Sequence, residues 1–477
     1  MTNALTRTIV AGVSVAFVVV ILMAGGVVAA DPVTVAESDL IRATTIEQSP
    51  LAKKLVSMSE AQLKKLKQGK ERGLLELTPV VLPEDPYIVG KNTHFGWPVA
   101  TRVGKTIVIV YLRRRSHYLA PQFDKDSSGM MVTRSLDGGR RWSKPMDVRE
   151  QFRQPDGELP FYSKSESIAT TADGAIVVGH KGGTFRSEDQ GKTWRHFPHS
   201  FRATVAPGVS ARLNCPRMIE HPDYGLVRME GTFLKAQFPH WPHTGDRMLA
   251  GNSRDGGKTW QVKLHDVPIG GSAEPAMLLH EGALFMVGRP HDVVAYDSKT
   301  QTSHYMQYWS KTGWFPLEAK LTNIQTTDRR KTGLPGKGFD TVDLSFNPVT
   351  KRLEIVATDR MGGGVKGRFW EVPFSLNLWS IDPQALLAGS ADWRYEGCLF
   401  ERLKPMTLPY RFGMSDGCHP AAAIMDTEQG VQHIFIYLGS PAGPAGIFHL
   451  KRSLDTPRLA KFLREPMAKA VPSQKKD

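Results

Sequence analysis

Arginines and histidines stand where predicted strands begin or end, the places from which side chains can reach a bound molecule. Arg113, Arg114, Arg115 and His117 follow one apolar run; His180, Glu230, Arg289, and Asp359 with Arg360 follow others. Before such runs come His94 and Trp97, Glu166, Arg212 and Arg217, Glu274, Asp340 and Asp343, and His419. A planar guanidinium can bond both oxygens of a carboxylate. An imidazole changes charge near neutral pH and can carry a proton in either direction. Together these residue types suit chemistry on an anionic substrate. Each also has a plainer reading: an arginine can serve a structural ion pair, and a histidine can pack in a core.

The elements that must hold these residues recur along the chain. Six pairs of strands are expected, at Val99–Tyr111, Ser167–Gly179, Met218–Met229, Ala276–Val287, Val342–Ala357 and Ala421–Leu438. Each pair has turn residues between its members, such as Gly104, Asp173-Gly174 and Gly430. After the first three pairs comes the pattern Ser-x-Asp-x-Gly-x-x-Trp, at Ser135–Trp142, Ser187–Trp194 and Ser253–Trp260. A worn copy, Ser310–Trp314, follows the fourth; Ser375–Ile381 fills the same slot after the fifth without the motif. In this box the carboxylate bonds N–H groups of its own turn, and glycine takes the positive φ. Serine adds a side-chain bond, and tryptophan opens the next strand with a large buried ring. The box is thus a structural staple.

Units of about 60 residues repeating over about 370 mark a propeller. Its first strands converge on one axis and would gather the residues named above. The expected fold is all-β, a six-bladed β-propeller, with seven blades as the alternative if Pro79–Ile88 forms sheet of its own. Asp382-Pro383 opens an N-capped helical turn. Ser57 and Glu60 have capping-box spacing for a short helix before the main domain.

The box resembles the Asp-box of sialidases, so the resemblance implies a propeller of the sialidase type over about residues 80–455. A second likeness is Ser272-Ala273-Glu274-Pro275 followed by Leu284–Arg289, which resembles the Glu-to-Arg segment of exo-sialidases. It implies Glu274 as the base that activates a nucleophile and Arg289 as the carboxylate clamp. Tyrosine nucleophiles are the known exception to paired-carboxylate glycosidase chemistry. The family's acid/base aspartate would fall at Asp126 or Asp124. Arg115 joins Arg289 in the clamp, with Arg113, Arg212 and Arg217 as further substrate-binding candidates.

The chain departs from the family at three points. Phe95-Gly96-Trp97-Pro98 stands where the family has Arg-Ile-Pro, and Asp340-Thr341-Val342-Asp343 where it has a late arginine. Cys418-His419-Pro420 stands where it has its tyrosine, so that His419 or Tyr410 must do the tyrosine's work. Three functions therefore remain open. One is a sialidase-like glycosidase acting on an acidic sugar. Another is a polysaccharide lyase on a uronate glycan, with His94, His117, His180, Tyr162 and Arg212 as its machinery. The third is a propeller that binds a glycan or protein without turnover.

A formal net charge of +14 favours acidic partners. No basic run interleaved with aromatics occurs, so an anionic glycan is expected rather than nucleic acid. The three cysteines include no Cys-x-x-Cys pair, and no metal or nucleotide cofactor is expected. Cys398 with Cys418 is the best-placed disulfide, separate buried thiols being the alternative. Residues 1–30 carry Arg7, the apolar run Ile9–Val28 and a small-residue site at Val28-Ala29-Ala30. They serve either as a cleaved export signal or as a retained membrane anchor, placing the rest outside the cytoplasm. Residues 31–78 read as an N-terminal extension, 79–455 as the propeller and 456–477 as a basic tail; a monomer is expected.

Overall fold

The computed structural model describes residues 40–42, 45–85, 93–117, 129–157, 167–180, 183–198, 209–211, 217–234, 247–266, 272–290, 306–312, 320–324, 339–360, 374–388, 393–402, 416–440 and 443–465. Among them the strands group into six antiparallel units; the first and sixth join in one eight-stranded sheet, the third carries Val209–Ala211 as a further strand, and Leu40–Arg42 pairs separately with Arg141–Ser143. Sheet 1 runs His94–Val103, Thr106–Arg114, Gly129–Ser135, Met146–Asp147; sheet 2 runs Ser167–Thr170, Ile176–His180, Gly183–Ser187, Arg195–Pro198. Sheet 3 runs Ile219–His221, Gly225–Leu234, Arg247–Ser253, Gln261–Asp266; sheet 4 runs Ser272–His280, Ala283–Pro290, Met306–Thr312, Lys320–Ile324. Sheet 5 runs Phe339–Asn347, Arg352–Arg360, Phe374–Ile381, Arg394–Arg402. Sheet 6 runs Asp416–Asp426, Val431–Gly439, Ala445–Ser453, and takes its fourth strand, Leu75–Val81, from before sheet 1. Residues 79–81 of the segment expected to found a seventh unit thus pair within the sixth, while residues 86–88 lie outside the described residues.

The second strand Ile176–His180 is buried along its whole length, and Thr106–Arg114 along all of it but Arg113. Both their faces pack against neighbouring sheets, so the cores lie between sheets rather than at one centre. Val108, Val110, Ile176, Val178, Phe185 and Trp194 fill the space between sheets 1 and 2; Phe95, Ile109, Trp142, Phe435 and Ile447 fill that between sheets 1 and 6. The first strand of each sheet touches the first strand of the next, from sheet 1 through sheet 6, and that of sheet 6 touches sheet 1. Sheets 1 and 6 also share a parallel pairing, Ala445 with His94.

The three boxes make the same bonds. Ser135, Ser187 and Ser253 accept from the N–H groups of Gly139, Gly191 and Gly257 at 2.7, 2.8 and 2.8 Å. Asp137, Asp189 and Asp255 each accept from the backbone three and four residues on, at 2.9–3.1 Å. Burial works against ionising these carboxylates, but the bonds from N–H and hydroxyl groups outweigh it and hold all three below the ordinary range.

In sheets 5 and 6 the same residues open helices instead. Two helices, α1 (Pro50–Val56) and α2 (Glu60–Glu71), precede the sheets; Ser380-Ile381-Asp382 precedes α3 (Pro383–Leu387), and Ser453-Leu454-Asp455 precedes α4 (Thr456–Arg464). Asp382 accepts from Gln384 and Ala385, and Asp455 from Arg458. Pro383 and Pro457 stand in the first helical turn, and Gln384 and Pro457 take the place of the box glycine, so the carboxylate caps a helix rather than a turn.

Residues 456–464, expected as the start of a basic tail, therefore form α4 and bury Leu459 and Phe462. The N-terminal helix is also capped differently from expectation. Ser59 and Gln62 make the capping box of α2, while Ser57 ends α1 at φ 46°.

Candidate functional site

Four consecutive first strands break register at the same place. The ladder shifts between Gly96 and Val99, Ala273 and Ala276, Phe339 and Val342, and Cys418 and Ala421. The bulged residues are Trp97-Pro98, Glu274-Pro275, Asp340-Thr341 and His419-Pro420. Proline lacks the N–H a ladder needs and confines the residue before it, so three of the four bulges are written into the sequence. Trp97 (φ 53°) and His419 (φ 40°) stand in the left-handed region. That conformation costs a non-glycine residue roughly 1–3 kcal/mol and concentrates at functional sites. The first strands of sheets 4, 5, 6 and 1 touch in turn. Their bulges thus place Glu274, Asp340, His419 and Trp97 along one end of adjoining strands.

Sheets 1 and 6 supply an aromatic cluster at this end. The Trp97 ring lies 4.7 Å from His117, 5.5 Å from Tyr437, 5.8 Å from His94 and 6.3 Å from His419. His419 and Tyr437 are 5.7 Å apart. The Arg114 guanidinium sits over the Trp97 ring at 5.7 Å, a cation–π contact. His94 and Tyr437 are fully buried and Trp97 nearly so, while His117 and His419 are half-buried and Arg115 is exposed. His94 is oriented by its Nδ1 against the Gly443 carbonyl at 3.0 Å. A side chain at Gly96 would meet the Tyr437 ring at 3.4 Å, so glycine lets the tyrosine pack beneath the bulge.

The predicted residues divide accordingly. His117 and His419 come together with His94 and Trp97 around one cluster. Arg289 pairs with Ala273, directly before the Glu274 bulge. The side chains of Glu274, Arg289, Asp340 and Glu230 lie outside the described residues, as do Asp124, Asp126, Tyr162, Glu166, Arg212 and Tyr410 entirely. The Cys398–Cys418 pairing falls outside them too. Arg113 interacts with Asp147: burial lowers its pKa and the Asp147 carboxylate opposes that shift. The neighbouring Arg114 reaches Trp97 instead, because successive strand residues face opposite ways. Tyr437 was not anticipated. It opposes Cys418 as Arg289 opposes Ala273 and Asp359 opposes Phe339, so equivalence of register is the signal that finds it.

Arg217, expected to bind substrate, has its guanidinium in a structural ion pair. It donates to Asp343, to the Leu344 carbonyl at 2.5 Å and to the Met277 carbonyl at 3.2 Å. Asp343 accepts in turn from Ala422 N–H, and the backbone at Arg217 bridges to Ile168. One ion pair, both members largely buried, thereby ties sheets 2 to 6 together. Beyond it, where the first strands end, lies a cavity of about 420 Å³ lined by Thr101, Arg102, Thr170, Arg217, Glu220 and Met425 among others. This cavity is at the opposite end of the strands from the bulges. Among the described residues no cluster of His, Cys, Asp and Glu is arranged to hold a metal ion.

No protein-family model and no curated protein matches the chain. Solved structures do. A protein of unknown function from Dyadobacter fermentans is similar at 12% identity and a TM-score of 0.49, over 80% of this chain and 99% of its own. A Hadza microbial sialidase is similar at 15% identity and 0.47, over 80% and 68%. The Trypanosoma rangeli sialidase is similar at 13% identity and 0.45, over 75% of this chain, which spans 55% of that protein's length. At such identities and TM-scores these likenesses carry no argument about what the chain does.

Proposed function

We propose that the six sheets are the blades of a closed propeller, and that the chain is an exported, sialidase-like glycoside hydrolase acting on an acidic sugar. The observation that carries this reading is the set of aligned bulges. They bring an acid–base candidate, Glu274, to the same strand ends as His419, Asp340 and Trp97, with Arg289 paired beside Glu274 in the backbone ladder. In this reading Arg289 and Arg115 hold the substrate carboxylate as guanidinium forks. Glu274 takes a proton from the attacking group, and Asp126 protonates the leaving oxygen. Trp97 offers an aromatic edge where the family has an arginine, leaving fewer charges for the carboxylate. Residues 1–30 would direct export, and residues 79–455 would form the catalytic body.

A second reading, a lyase acting on a uronate glycan, is favoured by one observation: His94, His117, His419, Tyr437 and Arg114 surround Trp97. Histidine and tyrosine can pass the proton that elimination removes, and arginine can neutralise the neighbouring carboxylate. Digestion of sialylated and uronate glycans, with products read by mass and ultraviolet absorbance, separates the two. Hydrolysis adds one water across the cleaved bond; elimination adds none and leaves an absorbing double bond. A panel bound without any product would overturn both.

A further inference from the structure

The first box packs onto sheet 6 differently from the way its counterparts pack onto their neighbours. Box 2 rests on sheet 1, where Arg134 donates to the Gln190 carbonyl at 3.1 Å; box 3 rests on sheet 2, where Arg186 donates to the Gly256 carbonyl at 3.1 Å. Those guanidiniums keep their charge at any working pH. Under box 1 stand two imidazoles instead. His433 and His449 are fully buried, stacked at 5.0 Å and 14°, with His433 Nδ1 2.9 Å from His449 Nε2. A side chain at Gly139 of the box would meet His449 at 2.7 Å. Trp142 of the same box stands edge-on to His449 at 5.7 Å.

We propose that the buried His433–His449 pair is an acid-sensitive latch between the first and last sheets. One hydrogen lies between the rings. With His449 Nε2–H donating to His433 Nδ1, the second hydrogen of the pair sits on His433 Nε2, 3.7 Å from the Asp426 carboxylate. His449 Nδ1 then bears only a lone pair in its buried position against Gly139, without a hydrogen-bond partner among the described residues. An added proton must go to that nitrogen, where it would point a charged N–H at the box with no acceptor among the described residues. Buried ionic groups without partners are costly.

The charges around the pair do not reverse this. Asp426 is already held by Arg102 at 3.1 Å. Lys451, on the strand of His449, is paired with Glu76 at 2.8 Å and still disfavours a second positive charge. Burial, above all, holds His433 down to about 4; Asp426 works against this, while Lys451 and Arg102 add to it. Burial likewise holds His449 well below the ordinary imidazole value, with His433 and Lys451 contributing. Both groups bind protons more readily in the unfolded chain. The stability they contribute is complete above about pH 6.5 and declines as pH falls toward about 4.

The same two sheets carry Trp97, His419 and Tyr437, so opening this seam would disperse the aromatic cluster. The test is urea unfolding of the full chain at a series of pH values, with hydrogen exchange mapped by peptide. From about pH 7.5 to about pH 5 the unfolding constant should rise about 30-fold for each imidazole held as low as His433. Exchange should rise first in residues 136–143 and 431–453, while the second box, 187–194, stays protected. His433→Phe combined with His449→Phe should flatten the pH dependence in that window. A flat profile in the wild type, an equal slope in the double variant, or exchange rising evenly through all sheets would overturn the proposal. Should the double variant not fold, the wild-type exchange map decides: seam first supports the latch, even loss refutes it.

Discussion

The boxes at Ser135–Trp142, Ser187–Trp194 and Ser253–Trp260 make the same bonds three times over, whereas the bulges at Trp97, Glu274, Asp340 and His419 share a backbone break, three of them a following proline, and no common residue before it. At the box end each serine, aspartate and glycine answers a demand of its own turn. At the bulge end the fold asks only that the ladder break, and leaves the side chain to vary. Repetition of side chains therefore marks structure here, and repetition of backbone with changing side chains marks the place where chemistry can be built. Between the two ends lies the Arg217–Asp343 pair, which belongs to neither pattern because it joins different sheets.

Four measurements break or sharpen this contrast. The largest effect is expected at the bulges: Glu274→Gln should lower turnover of the identified substrate by about 10²–10⁴-fold, with the melting temperature unchanged. Lost stability with intact turnover would instead make the bulge a scaffold feature. Next, Arg217→Met removes one partner of a buried ion pair and leaves Asp343 uncompensated, at a cost of about 3–5 kcal/mol. Urea denaturation reads this directly, and a variant as stable as the parent would remove the hub from the account.

At the box end, Asp189→Ala should cost only about 0.5–2 kcal/mol, as loss of a capping carboxylate does, and should leave turnover alone. The smallest effect is in the acid limb of stability. Box carboxylates held below their ordinary range contribute fully above about pH 4 and fade as pH falls through the lowered values. Asp189→Ala should therefore have the shallower decline below about pH 4, a window separate from that of the histidines. An unchanged acid limb would mean that its bonds do not matter to folding.

The repeat made the six strand pairs legible, because Asp-Gly and Gly turns between Val-rich runs report purely local geometry. The boxes in sheets 5 and 6 were harder to see. Ser380-Ile381-Asp382 and Ser453-Leu454-Asp455 keep the first half of the motif, but the box glycine is lost and a proline in the next turn makes the same carboxylate a helix cap. The bulges could be read from Trp97-Pro98, Glu274-Pro275 and His419-Pro420, each a prolyl break near the start of a strand. The role of Arg217 could not. Its partner lies 126 residues away, and only the mutual placement of sheets brings the two together. Likewise nothing in a run of three arginines tells which one will face Trp97; strand parity settles it in favour of Arg114.

Leu75–Val81 lies along Ala445–Ser453, and Thr78 bonds a carbonyl 371 residues further on. A ribosome makes the first of these segments long before the second. Through most of synthesis, and through any passage across a membrane, that strand has a bare edge and no rightful neighbour. Bare edges recruit whatever strand is nearest. The edge of Leu75–Val81 must therefore be kept from pairing too soon, and closing it is an event in which a segment made late returns to one made early.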